Sequence, residues 1–368
     1  MIEKYYSGVI EQIYNRIGKE TRNIVMANYS NDFSIENLEV IRRYQSNEDN
    51  VFFAYSEFSY NTLVGAYEPF LDIICNMHRR FIGGSFDDFQ KECGVYYLHR
   101  QVLNSYYETG ECFREETVLL NEVAYEQRRM TMAIADMLKK LSEVKPLMIV
   151  INRFQMASKS SIETIKYLID NPCANIGIVL GVNAIVKGTD STVEVWDRIV
   201  ESLEDRSAIY YIGSAGPLKN NVKTTNDDEL YITMNFEQSI QEASNIMEFL
   251  DFEQARRGCR IIEHKLKFED AWIDEKSLRR FYMVYARTSV LLGEMSKAIE
   301  LTNEYKALIP ENDSEHYLSL YYFMKGTCYM YQGKLEKAGN SAKSAYDYAV
   351  LAEDDTPVSY THLKLPTT

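Results

Sequence analysis

No two of the six cysteines stand as CxxC, and none lies near a histidine at the spacing a zinc site uses. Only five histidines occur in 368 residues (His78, His99, His264, His316 and His362), so imidazole chemistry has few places to happen. The cysteines (Cys75, Cys93, Cys112, Cys173, Cys259, Cys328) read as reduced, small apolar residues of a cytoplasmic protein. Neither a metal nor another cofactor is expected. Basic residues are also short. Forty against fifty-four acidic ones give a net charge of −14, which removes any chain-wide electrostatic case for nucleic acid or an anionic membrane. No apolar run approaches the roughly 18 residues of a membrane-spanning helix. The start, MIEKYYSGVIEQIYNRIGKE, lacks a signal-peptide core and reads as an amphipathic helix.

What is present is a globular composition, 46% hydrophobic and 26% charged, on a chain long enough for two cores. Its most informative stretch is Pro146–Leu180, PLMIVINRFQMASKSSIETIKYLIDNPCANIGIVL. Two short apolar runs, Leu147–Ile151 and Ile176–Leu180, flank the amphipathic segment Ser161–Asp170. That pattern predicts two buried strands of a parallel sheet joined by a crossover helix. Further strand candidates are Arg22–Tyr29, Val51–Tyr55 and Ala208–Ile212. Helical segments are expected around Asn37–Tyr44, Tyr67–Arg80, Phe86–Ser105, Glu122–Ser142 and Val193–Leu203. Residues 1–216 thus read as an α/β domain with a mostly parallel sheet. Residues 217–235, mostly polar and aperiodic, read as a linker.

From Phe236 to about residue 355 only helical periodicity remains, and it repeats. KAIELTNEYKALIP from Lys297 aligns with KAGNSAKSAYDYAV from Lys337, and Gly293 aligns with Gly333, both at a separation of 40. Upstream stand Tyr282 and Ala286 in one copy and Tyr322, Gly326 and Tyr329 in the other. LDFEQARRGC, with Ala255, reads as a weaker copy 43 residues earlier. The arrangement resembles tetratricopeptide repeats, with a period longer than their usual 34 or so. The resemblance implies a protein or peptide partner on this region, some tyrosines packing between helices and others available to a groove. The last stretch, TPVSYTHLKLPTT, fits nothing before it and resembles a translated adaptor remnant. A non-native tail over 356–368, on a chain cut short within its repeats, is the expectation.

The segment Tyr125–Asp170 supplies, in order, the helix MTMAIADMLKKLSEVK, the strand PLMIVI, Gln155, Ala157 and SSIETIKYLI, while YEPFLDII follows the second strand. In that order it resembles the STAND class of signal-transducing P-loop ATPases, particularly the branch carrying tetratricopeptide repeats. The resemblance implies a phosphate loop after the first strand and acidic, magnesium-holding residues at the end of the Leu147–Ile151 strand. This chain departs at both places. The loop Asn28–Ile35 has no glycine and no lysine and contains Asp32, whereas a phosphate cradle needs glycines, a lysine and a hydroxyl. The strand ends in Asn152, Arg153, Phe154 and Gln155. Gly18–Lys19 follows a helix rather than a strand, and Gly83–Gly84 suits a loop between helices. The expectation is a pseudo-ATPase without catalytic, cofactor or metal residues, regulating through protein contacts. An effector such as a transcriptional regulator or a cyclic-dinucleotide cyclase would lie outside the chain. The alternative is an active ATP-binding switch with a non-standard phosphate loop. The same residues also suit an α/β domain that was never an ATPase. Ser158, Ser160 and Ser161 read as a helix N-cap cluster. Arg79, Arg80, Arg128 and Arg129 read as solvated or salt-bridged faces, and His264 and His316 as lone packing or surface residues.

Overall fold

The structure, a computed structural model, describes residues 2–29, 38–46, 50–59, 63–114, 118–183, 193–205, 208–211, 235–268, 273–312 and 314–352. Residues 1–100 with 128–231 form one compact unit, and 101–127 with 232–368 form the other. Residues 101–127 therefore group with the C-terminal half of the chain. The expected linker, apart from Asn235, the expected tail, and most of the loop after the first strand lie outside the described residues.

The first unit begins with α1 (Ile2–Arg16), β1 (Ile24–Tyr29), α2 (Glu39–Gln45), β2 (Phe52–Glu57) and α3 (Phe70–Met77). A π-helical turn, His78–Ile82, continues α3 and is followed by α4 (Phe86–Glu92), α5 (Tyr97–Thr109) and α6 (Val123–Val144). Then come β3 (Leu147–Asn152), α7 (Lys159–Asp170), β4 (Ile176–Asn183), α8 (Val193–Glu204) and β5 (Ile209–Tyr211). The unit division falls inside α5 and α6. All strand pairs are parallel, in the order β2-β3-β4-β1-β5. An apolar run can serve as a central parallel strand only if both its faces are covered. Every residue of β3 is completely buried. One face, bearing Val25, Ala27, Phe53, Met148, Val150 and Val179, shares a core cluster with Tyr6, Val9, Ile10 and Ile13 of α1. Those helix positions recur at three- and four-residue steps, which places them on one stripe. The opposite face, with Ile149, Ile151, Ile178 and Leu180, is equally closed to solvent.

Each strand candidate of the α/β region forms a strand. The single helical segment expected over Phe86–Ser105 is instead two helices. Cys93 caps the first, and Gly94, with φ near +72°, turns the chain before α5. Left-handed backbone suits glycine because no Cβ clashes there.

The second unit contains α9 (Phe236–Glu248), α10 (Phe252–Phe268), α11 (Glu275–Leu291), α12 (Met295–Ala307), α13 (Glu315–Tyr331) and α14 (Leu335–Leu351). They form three successive helical hairpins. Asn235 opens the first with a reciprocal cap, its side chain accepting from the Gln238 amide at 2.9 Å while Gln238 Oε1 accepts from the Asn235 amide at 3.3 Å. The second and third hairpins are displaced by 40 positions, 275 to 315 and 295 to 335. The long period arises from a 17-residue first helix and a long link between hairpins.

All three hairpin corners use the same C-terminal motif. The amides of Leu250, Gly293 and Gly333 reach back three residues, and those of Asp251, Glu294 and Lys334 reach back five. The middle residue is left-handed in each, with φ of 69°, 77° and 72°. Beyond the corners, Ala255, Ala298 and Ala338 are all buried on the second helices. Gly326 is small for a packing reason: a Cβ there would lie 3.3 Å from Ser341 Cβ and 3.5 Å from the Ala338 carbonyl oxygen. Aromatic rings fill the same layers. Phe281, Tyr285, Tyr305 and Tyr321 are buried, and Tyr322 stacks on Tyr348 with centroids 5.6 Å apart.

Polar side chains tie 101–127 to the first hairpin. Asn245 accepts from the Cys112 amide at 2.9 Å and donates to the Gly110 carbonyl at 3.0 Å. Gln127 donates to the Leu250 carbonyl at 2.6 Å, and Arg114 to the Glu248 carbonyl at 2.9 Å. Among the described residues, no helix is long and apolar enough to cross a membrane.

Two substitutions test these packing statements by chemical denaturation. Gly333→Ala, with open space around the new Cβ, should lower stability by about 1 kcal/mol through backbone strain alone. Gly181→Ala places a methyl onto the Tyr6 hydroxyl and 2.8 Å from Asn152 Oδ1. A loss above about 2 kcal/mol is expected, much of it recovered when Tyr6→Phe removes the obstructing oxygen.

Candidate functional site at the carboxyl ends of the strands

In a parallel sheet a crevice opens where the strand order reverses, outside the carboxyl ends. Here β2, β3 and β4 march inward from one edge, and β1 stands between β4 and β5. That rule points to the ends of β1, β4 and β3. Two asparagines close these strands on opposite sheet faces. Asn152 is wholly buried near Gly181 and Tyr6. Asn28 is also buried, and its Oδ1 has no hydrogen-bond partner among the described residues.

Immediately after β3, Arg153 adopts the left-handed conformation (φ 53°, ψ 39°), which disfavours a non-glycine residue by about 1 kcal/mol. A 3-10 turn, Phe154–Met156, follows, and all three of its residues are buried. Arg153 Nη1 lies 3.1 Å from Glu57 Oε1 at the end of β2 and donates to the Phe58 carbonyl at 3.4 Å. Glu57 Oε2 also accepts from the Tyr55 hydroxyl at 2.6 Å. Both members of the ion pair are mostly buried, so the attraction is less screened than at an open surface. The β2–β3 end thus presents a neutralised pair in place of an open anionic seat.

The serines next along the chain form a connected cluster. Ser158 caps α7, its Oγ lying 3.0 Å from Ser160 Oγ and 2.9 Å from Ser161 Oγ. Ser160 accepts from the Tyr67 amide at 3.0 Å, and Ser161 donates to the Glu68 carbonyl at 2.7 Å. These hydroxyls hold the turn preceding α3, where Tyr67 has φ of 56° and the Glu68–Pro69 bond is cis. Ser158 caps the helix as expected, while Ser160 and Ser161 also anchor this distant turn.

Glu68 itself is half-buried beside Asp72 and accepts from the Gly65 amide at 2.8 Å. Burial raises its carboxyl above the ordinary glutamate value, and the charge of Asp72 adds to this. Among the described residues, burial acts on several thiols and on one imidazole. Burial lifts the Cys75 and Cys328 thiols to about 11 and Cys93 to about 12, leaving them protonated near neutrality. His78, buried against the rings of Phe86 and Phe89, is pushed below its ordinary value first by desolvation and then by Arg79. Among the described residues no group of three or more His, Cys, Asp or Glu side chains is placed to hold a metal.

The remaining sequence candidates fall as follows. Gly18, left-handed at 77°, ends the turn after α1, its amide donating to the Ala174 carbonyl at 2.7 Å. Gly83 and Gly84 separate the π-turn from α4. Arg80 lies over Phe52 and Phe81, and Arg129 lies 3.7 Å from the Tyr96 ring centre. His264 and His316 are exposed on α10 and α13. The Arg153–Glu57 pair was missed by sequence reading, because ion pairing between distant strand ends leaves no local pattern. No protein-family model matches this chain, and a search of curated proteins found no match.

Glu68 offers a test with a definite sign. Its folded-state value exceeds the unfolded 4.5, so the penalty is absent below that pH and grows as pH rises through the folded value. Glu68→Gln should therefore melt higher than wild type at pH 7, and the gap should close as the pH falls below 4.5.

Proposed function

We propose that this chain is part of a cytoplasmic regulatory protein that acts through protein–protein contact, with an α/β unit that has left nucleotide chemistry behind. The parallel sheet and its order reversal at β1 support a likeness to signal-transducing P-loop ATPases. The hairpins, with their 40-residue repeat and shared corners, support a likeness to tetratricopeptide arrays, which serve as docking surfaces for proteins or peptides. An enzymatic or DNA-binding output would belong to a separate effector.

One observation carries the loss of nucleotide chemistry. Where the likeness calls for free carboxylates to hold magnesium, β3 ends in buried Asn152 and in Arg153, whose guanidinium is paired with Glu57. Phosphoryl transfer depends on positioning and on cationic stabilisation of the phosphates. A carboxylate already held by a guanidinium and a phenol hydroxyl is a poor magnesium ligand. After β1, the sequence Asn28–Ile35 supplies neither lysine nor glycine.

The test is a titration with fluorescent ATP and Mg²⁺. No saturable binding is expected up to on the order of 1 mM. Saturable micromolar binding that disappears when Asn28–Ile35 is altered would establish an active switch with an unusual phosphate loop instead.

A further inference from the structure

We propose that the helical unit contains a binding site for a small aliphatic carboxylate. A partly open cavity of about 60 Å³ lies wholly within this unit, with Met247, Leu250, Phe252, Met324 and Met330 among its apolar lining. Its charged wall consists of Arg114, Glu248 and Arg287. The Arg114 side chain is 2% exposed. Its Nη2 donates to the Glu248 carbonyl, and its Nε stands 3.7 Å from Glu248 Oε2. Arg287 Nη1 lies 2.9 Å from the other oxygen, Glu248 Oε1. Two guanidiniums thus share one carboxylate on this wall. The Nε and Nη1 of Arg114 make no hydrogen bond among the described residues. Glu126 adds a negative field at Arg114 but does not line the cavity.

Chemistry narrows the occupant. A guanidinium can only donate, so whatever completes Arg114 must bring an acceptor. A carboxylate suits that donor fork in geometry and in charge. Thr327 and Tyr331 also line the space, but neither they nor water bring a charge to match the guanidinium. The volume is under half of the roughly 150 Å³ that accommodates benzene, which limits the enclosed part to a few carbons. A short chain with one anionic end meets both requirements if its tail extends through the open side of the cavity. This inference does not depend on the regulatory reading of the α/β unit.

The full chain, labelled at its methionine methyls, provides the test by NMR, with hexanoate as the probe. Saturable shifts at Met247, Met324 and Met330 are expected, with a dissociation constant on the order of 1 mM for so small a ligand. 1-Hexanol should bind at least about tenfold more weakly, since it lacks the charge-assisted contacts. Inorganic phosphate should leave the three signals unmoved. Arg287→Gln, at a partly exposed position, should weaken hexanoate about tenfold and leave hexanol unchanged, with methionine signals outside the cavity reporting an intact fold. Four results would overturn the proposal: equal binding of hexanoate and hexanol, equal shifts with phosphate, indifference to Arg287→Gln, or no shift at these methyls up to roughly 20 mM hexanoate.

Discussion

Burial of β3 on both faces is the constraint from which the α/β unit follows. Six consecutive residues without solvent contact require a neighbouring strand on each side and covered surfaces above and below. That demand places α1 on one face through a stripe of Tyr6, Val9, Ile10 and Ile13. It also makes the end of the strand abrupt. The last buried position is an asparagine, and the next residue leaves the sheet in a left-handed conformation. The β2–β3 end derives its chemistry from this exit: an arginine aimed at the end of β2, a buried 3-10 turn, and serines spent on anchoring the turn before α3.

A different logic builds the helical unit. Each hairpin corner closes by the same pair of backbone hydrogen bonds around one left-handed residue. Two corners use glycine. The first uses Leu250, which lines the apolar cavity, so there a packing side chain has been kept despite the backbone strain. The segment 101–127 joins this unit through Asn245, Arg114 and Gln127, each bonded to backbone groups of its neighbour. Such bonds matter because a buried carbonyl or amide left unpaired is strongly destabilising. The Arg114–Glu248–Arg287 arrangement belongs to the same network and gives the cavity its polar wall.

Much of the fold was legible because it rests on periodicity. Continuous apolar runs marked the strands, and three- and four-residue spacing marked the helices. The 40-residue offset of Gly293 and Gly333 marked two corners of the repeat. The misread segment, Phe86–Ser105, failed for a local reason: its hydrophobic pattern continues through Gly94 while the backbone does not. The weaker first copy was faint because its corner residue is leucine. The serine cluster was legible as a cap, but its attachment to the Tyr67–Pro69 turn was not, since 93 positions separate the partners.

By itself the sequence determined most of the strand and helix segments, where the chain repeats, and which residue types stand at the ends of β1 and β3. Local backbone preference and apolar spacing suffice for that. Tertiary structure alone decided that Arg153 neutralises Glu57, that Glu68 is held in a dehydrated setting, and that residues 101–127 pack with the repeats. It alone gathered Arg114 and Arg287 around one carboxylate at an apolar cavity. These are encounters between side chains remote in the chain, and their charge and hydration are set by burial, which no local pattern encodes.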